Sequence, residues 1–387
     1  MRWSDIPLFA RKYILYHTIV SPFLITWYML PLYMFMTGYN ILDVGAFFTV
    51  ISVIAIPLTY LVGKVFRKIA LRHGLVIIDF LGGLSNLFYG LAYGIFAPIA
   101  LFIGRLLEEL SFLFYPLYQA AERTLYPEDK MEEVFAWHMR LPVASQMVGF
   151  LAFGYLFGYI YTSPHDYRLA FLFFGFISAF TILYLIKFLP KLDVKERIEA
   201  ETFKFKVDPE FRLILSLEAI LTLAWSMAPE IVLINYVINV LKKTLFEVML
   251  VEVFMSSASF LATFVSERIK REKRFIVMAF SMLLVTCWAT LMMISPPLPI
   301  VLLAYFIGEF GDTLMFPFYR TWIFSKIPKD RASEILAAIS SYRKMFGLMV
   351  PLIAGALASL TPTLPYAASL LLYAISILLF LYAKRAF

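Results

Sequence analysis

A single cysteine, Cys287, and four histidines, His17, His73, His138 and His165, are all that 387 residues offer of thiol and imidazole groups. One thiol excludes an internal disulfide and any cysteine-based metal site, and histidines this scattered give no zinc or haem spacing. Charge is scarce as well: 16% of residues are Asp, Glu, Lys or Arg against 61% hydrophobic, where soluble domains carry about 25% charged. No GxxxxGK[ST] loop occurs, so energy from ATP hydrolysis within the chain is not expected. No metal and no cofactor is expected. The polar opening from Met1 to Lys12 leads into an apolar run of full spanning length, with no small-residue cleavage site, so the first apolar run is read as a retained helix.

What the chain has instead is apolar residues in long runs, the pattern of a multi-pass membrane protein. Runs of spanning length place twelve helices, near 13–36, 42–63, 74–94, 97–121, 132–160, 166–187, 211–240, 244–266, 274–295, 298–323, 333–360 and 364–383. Alternate connections then hold nearly all lysine and arginine, including Arg2, Arg11 and Lys12 at one end and Lys384 and Arg385 at the other. The opposite connections hold Arg168, Lys242 and Lys243 only. Positive residues stay on the cytoplasmic side, so both termini are expected there, in the plasma membrane. Topology and anionic inner-leaflet lipid account for the net charge of +7, and no nucleic acid partner is implied.

The chain also repeats itself. Pro116, Tyr118, Pro127, Asp129, Glu133 and Ala136 meet Pro317, Tyr319, Pro328, Asp330, Glu334 and Ala337 at a constant shift, and 57–68 matches 260–271 at nearly the same one. Two such matches mark a tandem duplication, a device common in secondary transporters. The one charge-rich connection lies at the seam. The expected organisation is a six-helix bundle over 1–190, a cytoplasmic linker over 191–210 and a second six-helix bundle over 211–387, acting as a monomer.

Charged side chains at mid-bilayer cost roughly 2.5–3.5 kcal/mol even on insertion scales, so they face protein or water. Helices six, nine and twelve have uncharged interiors and helix one carries only His17, whereas helix four carries Arg105, Glu108 and Glu109, and helix ten carries Glu309 and Asp312. Arg105, Glu108 and Glu109 share a helix face; they are either a structural ion pair or a proton carrier in which one carboxylate is left over after pairing. Glu309 and Asp312 share a face with no basic neighbour, and two close carboxylates cannot both ionise cheaply there, which points to a proton or cation site. The competing reading pairs them with Arg343 or Lys344. Their flanking glycines, Gly308 and Gly311, serve packing or flexing. Arg140 and Arg343 either hold an anionic substrate group or close a gate against Asp79 or Glu218. Glu230, Glu247 and Glu252 form an outer gate or reach to water. Tyr33, Trp137, Trp225, Tyr236, Phe316, Tyr319 and Trp322 are candidates to line an apolar pocket.

With this topology the chain resembles the major facilitator superfamily (MFS). Gly63, Lys64, Lys68 and Arg72 match the family's motif after helix two, with Arg67 where its acid belongs; Ser266, Lys270 and Arg271 take the corresponding places in the second half. Arg105, Leu107 and Glu108 fit the helix-four motif, with Glu109 where glycine is common. Gly149, Gly154 and Gly158 stand in helix five without the proline of the drug-antiporter signature. The resemblance implies an all-α polytopic fold of two pseudo-symmetric six-helix bundles, the MFS fold, and alternating access. The expected function is secondary transport of a small organic solute, driven by a proton gradient, with export preferred. Import coupled to a proton or cation, and a lipid flippase or scramblase on the same fold, stay open; a membrane-embedded enzyme is not supported by any catalytic set.

Overall fold

The computed structural model describes residues 2–66, 70–127, 130–190, 209–266, 268–326 and 332–386. Among them are sixteen α-helices and no strand. They are α1 Leu8–Val20, α2 Thr26–Met36, α3 Ile41–Phe66, α4 Leu71–Leu91, α5 Ala97–Leu113, α6 Pro116–Leu125, α7 Met131–Tyr155 and α8 Pro164–Phe188 in the first half. The second half holds α9 Pro209–Ser226, α10 Glu230–Asn235, α11 Leu245–Ser266, α12 Arg274–Met293, α13 Leu298–Lys326, α14 Ala332–Gly347, α15 Val350–Leu360 and α16 Leu364–Ala386.

Sixteen helices replace twelve because four expected spans are broken near proline, which removes a backbone donor and crowds the preceding turn. The first is interrupted by a 3₁₀ segment, Ser21–Ile25, containing Pro22, and the fourth divides before Pro116. The seventh breaks ahead of Glu230, where Pro229 is extended, and the eleventh divides before Val350 and Pro351. Proline alone does not dictate the break, since Pro57, Pro142 and Pro317 lie inside continuous helices. Eleven helical stretches among the described residues are long and apolar enough to cross a membrane. The fourth expected span is absent from that set because α5 has only 17 residues and carries Arg105, Glu108 and Glu109.

The described chain divides into two compact units, one of Met1–Gly38 with Val50–Glu199, the other of Tyr39–Thr49 with Ala200–Phe387. The first turns of α3 therefore fall in the second of these units. There the Leu352 amide donates to Thr49 Oγ1 at 3.0 Å. The expected linker over 191–210 lies largely outside the described residues.

Helices six, nine and twelve, expected to carry no interior charge, present exposed apolar stripes at helical spacing. Leu169, Phe173, Phe176, Phe180 and Leu183 form one on α8; Ile276, Phe280 and Leu283 form another on α12; Leu371, Ile375 and Leu378 a third on α16. A stripe of large apolar side chains left uncovered by protein is a lipid-facing surface. Opposite each stripe lie small and aromatic residues that pack inward.

The duplication is visible in the backbone itself. Non-glycine residues with positive φ among those described are Lys242 (φ 54°) and Ser295 (φ 52°), and glycines with positive φ are Gly38 (φ 99°) and Gly94 (φ 57°). Gly38 and Lys242 follow the first span of each half; Gly94 and Ser295 follow the third. Beside them the Tyr33 hydroxyl donates to the Ala92 carbonyl, and in the second unit the Tyr236 hydroxyl donates to the Pro296 carbonyl at 2.9 Å. Each tyrosine ties the turn after the first span to the turn after the third. Replacing either with phenylalanine removes the donor and leaves a buried carbonyl, so Tyr33→Phe and Tyr236→Phe are each expected to cost about 1–3 kcal/mol. Because they lie in different units, the double variant should lose the sum in a detergent melting curve.

Close approach in the first unit depends on Gly149, where a Cβ would lie 2.3 Å from Pro22 Cβ. The glycine lets α7 pass the 3₁₀ break in the first span. Gly149→Leu is expected to lower the melting temperature by several degrees, as overpacking of about 1–3 kcal/mol does.

Candidate functional site

The first unit buries an arginine and its two acids as one cluster. α5 carries all three on one face, and Arg105 donates through Nη1 to Glu108 Oε2 at 2.7 Å and through Nη2 to Glu109 Oε2 at 3.3 Å. The Tyr89 hydroxyl of α4 donates to the same Glu108 oxygen at 2.7 Å. Both acids contact Arg105, whose guanidinium fork offers them separate nitrogens. Arg105 also lies 5.6 Å from the Phe112 ring centroid.

α13 shows the other arrangement in the second unit. Glu309 Oε1 accepts from the Ser259 hydroxyl of α11 and from Thr313 Oγ1 at 3.1 Å, while Ser259 and Thr313 hydroxyls lie 3.0 Å apart. Asp312, fifteenth of the 29 residues of α13, is half-buried and has no hydrogen-bond or ion-pair partner among the described residues. Arg343, an expected alternative partner, forms its ion pair with Glu218, Nε to Oε2 at 3.4 Å, while its charge also acts on Asp312 without bonding to it. Lys344 has no described contact with either acid.

Registering the halves by their packing shows which residues correspond. A Cβ on Gly104 would lie 2.6 Å from Tyr89 of α4, and one on Gly308 would lie 2.9 Å from Trp288 of α12. Both glycines occupy the FIG of their helix, so the register that equates Arg105 with Glu309 and Glu108 with Asp312 is the one that matches the packing. Gly311 likewise packs, a Cβ there lying 2.6 Å from the Ser281 carbonyl oxygen. The same spot in the two units holds an arginine among acids in one and an acid among hydroxyls in the other.

Several expected positions do other work. Asp79 does not meet Arg140; its two carboxylate oxygens accept from Tyr16 Oη and Thr181 Oγ1, each at 2.5 Å, joining α1, α4 and α8. Arg140 is exposed and Glu230 lies exposed at the start of α10. Glu247 caps its own helix, accepting from the Thr244 amide at 2.8 Å and hydroxyl at 2.7 Å. Tyr33 and Tyr236 are 2% and 0% exposed, with their hydroxyls on the turn carbonyls. Tyr319 packs edge-on against Phe380, and Trp322 is buried with its indole donating to Glu210 Oε1 at 2.7 Å. Glu210 also pairs with Lys326. Of the helix-two motif, Gly63 and Lys64 fall in the last turn of α3, and Arg67 and Lys68 lie outside the described residues.

Sequence reading passed over one cluster. His17 and His138, 121 positions apart, lie with ring centroids 4.8 Å apart. His138 Nδ1 lies 2.8 Å from the Tyr126 hydroxyl and 3.4 Å from Glu122 Oε1. Only the packing of α1 on α7 brings them together, and nothing in the spacing of four histidines announces it.

A model of the Major Facilitator Superfamily matches residues 80–351. The chain belongs to that family of transporters and is not an enzyme. No curated protein sequence matches it closely enough to be called a relative. Among solved structures it is similar to a bacterial homologue of the iron transporter ferroportin in an inward-facing state, with TM-score 0.74 and 15% identity over 97% of this chain and 98% of that one. It is also similar to a bacterial metal transporter, with TM-score 0.73 and 13% identity over 98% and 99% of the two chains. The nucleoside transporter NupG follows the same fold, with TM-score 0.67 and 13% identity over 98% and 99%. At these identities the likeness is one of fold.

Proposed function

We propose that this protein is a secondary active transporter of a small organic solute, working by alternating access and driven by protons through the Glu309 and Asp312 pair. The observation that carries this is Asp312, a carboxylate midway along a spanning helix with no hydrogen bond or close ion pair among the described residues. A carboxylate there, close to a second acid and not bonded to a base, is costly when charged, so holding a proton or a cation stabilises it, and binding and release of that ion changes the energy of the unit around it. Glu309, held by Ser259 and Thr313, keeps a second negative group one helical turn away. Arg105, Glu108 and Glu109 then hold the first unit together, and Arg343 with Glu218 forms a pair that opening or closing would break. The distribution of basic residues supports both termini lying on the cytoplasmic side of the plasma membrane.

The test begins with a thermal-shift screen of the purified protein against candidate solutes, followed by transport of the stabilising solute into and out of proteoliposomes under an imposed pH gradient. Accumulation that collapses on adding a protonophore supports the proposal. Transport indifferent to the gradient, with or without a sodium gradient, would sink the coupling.

A further inference from the structure

We propose that His17 and His138 form an open, two-imidazole site in the first unit for a late first-row divalent transition metal ion such as Zn²⁺ or Co²⁺. The reading is independent of the acidic pair on α13. Three observations carry it.

The first is an orphan. His17 Nε2 is fully buried and has no hydrogen-bond partner among the described residues. The rings packed around His17 are those of Tyr13, Tyr16, Tyr118 and His138. The three tyrosines spend their hydroxyls elsewhere, Tyr13 on the Tyr118 carbonyl and Tyr16 on Asp79 and the Tyr118 hydroxyl. His138 alone among these rings brings another nitrogen.

The second is orientation. Nδ1 of His138 is turned to the Tyr126 hydroxyl and the Glu122 carboxylate. A carboxylate facing Nδ1 keeps the proton on that nitrogen, which leaves the Nε2 lone pair for a ligand. Metal-bound histidines are commonly held in this way by a carboxylate or other acceptor behind the ring.

The third is distance. With metal to nitrogen bonds of about 2.0–2.1 Å, two imidazoles on one ion have ring centroids roughly 5.2 Å apart in a tetrahedron and about 4.5 Å apart at a right angle. The observed 4.8 Å lies between the two.

Among the described residues no group of three His, Cys, Asp or Glu is placed to enclose a metal. Two imidazoles therefore leave the remaining positions to water or an arriving ligand. Closed sites with four protein ligands hold structural zinc, whereas open ones exchange what they hold. His138 and Glu122 keep 12% and 16% of their side chains accessible, so the approach lies on the His138 side, and the buried His17 nitrogen must be uncovered for an ion to bind both rings. Imidazole donors select ions of the Co²⁺ to Zn²⁺ series over Mg²⁺ and Ca²⁺, which prefer oxygen.

The experiment titrates tag-free full-length protein in detergent with Co²⁺, following visible absorption, with Zn²⁺ as competitor. Wild type is expected to give saturable ligand-field bands that Zn²⁺ displaces and Mg²⁺ does not. His17→Gln and His138→Gln, each eluting from size exclusion as wild type does, should abolish them, while His73→Gln and His165→Gln should not. Tyr126→Phe, which loosens the ring without removing a ligand, should keep the bands and weaken affinity about tenfold. Should either histidine variant fail to fold, histidine NMR of the wild type decides, since Zn²⁺ must perturb two imidazoles together. Bands that persist in both variants, no saturable binding, or imidazole signals that respond to pH and not to Zn²⁺ would each overturn the proposal. Asp312→Asn should leave the titration unchanged, so its outcome and that of the coupling experiment are read separately.

Discussion

Asp312→Asn is expected to reduce gradient-driven accumulation of the solute to simple equilibration while leaving solute exchange across the proteoliposome membrane measurable. The amide keeps the size and polarity of the side chain and removes its ability to take up and release a proton. One pH unit can sustain about tenfold accumulation per proton moved, or about 1.4 kcal/mol, and that whole factor should disappear. Exchange survives because it needs the solute site and the alternation of states but no net ion movement. Glu309→Gln is expected to be milder, since the amide oxygen can still accept from Ser259 and Thr313. Accumulation assays at fixed internal and external pH separate the two variants.

The largest loss of stability is expected at Arg105. Among the described residues, Arg105→Gln takes away the positive charge bonded to Glu108 and Glu109 and leaves two adjacent acids of one helical turn without a counter-charge. Breaking a buried pair by removing one member costs about 3–5 kcal/mol, and the lower end applies because the guanidinium keeps 18% of its surface exposed. Adding Glu108→Gln and Glu109→Gln to that variant should restore a large part of the loss, because the uncompensated charges go with it. Differential scanning fluorimetry in detergent reads both effects. If Arg105→Gln melted like wild type, the trio would not be the clasp of the first unit.

Much of this organisation was legible in the residues. Long apolar runs gave the spans, and the repeat of Pro116–Ala136 at Pro317–Ala337 marked the halves. The helical spacing of Arg105, Glu108 and Glu109 placed them on one face, where they are found. What failed to show was long-range partnership. Asp79 looked like half of a gate because it is a lone acid in helix three, yet Tyr16 and Thr181, hydroxyls without a charge signature, hold it. Tyr33 and Tyr236 looked like pocket residues because aromatic side chains are common in such pockets, and only the turn carbonyls opposite reveal them as ties. Helix breaks also escaped, because Pro22, Pro116 and Pro351 lie at interruptions while Pro142 and Pro317 do not, and tertiary packing decides between those outcomes. His17 and His138 are the extreme case, two residues with no local pattern whose meaning arises only from helices brought together.

Duplication followed by chemical divergence at one spot is the central claim: Arg105 with Glu108 in the first unit corresponds to Glu309 with Asp312 in the second, and only the second moves protons. The most direct measurement is proton release or uptake, followed with a trapped pH dye in proteoliposomes on adding the solute that stabilises the protein. Wild type and the Glu108→Gln variant are expected to move protons, the latter on a less stable scaffold, while Asp312→Asn moves none. Proton movement that survives in Asp312→Asn and vanishes in Glu108→Gln would place coupling in the first unit and contradict the account.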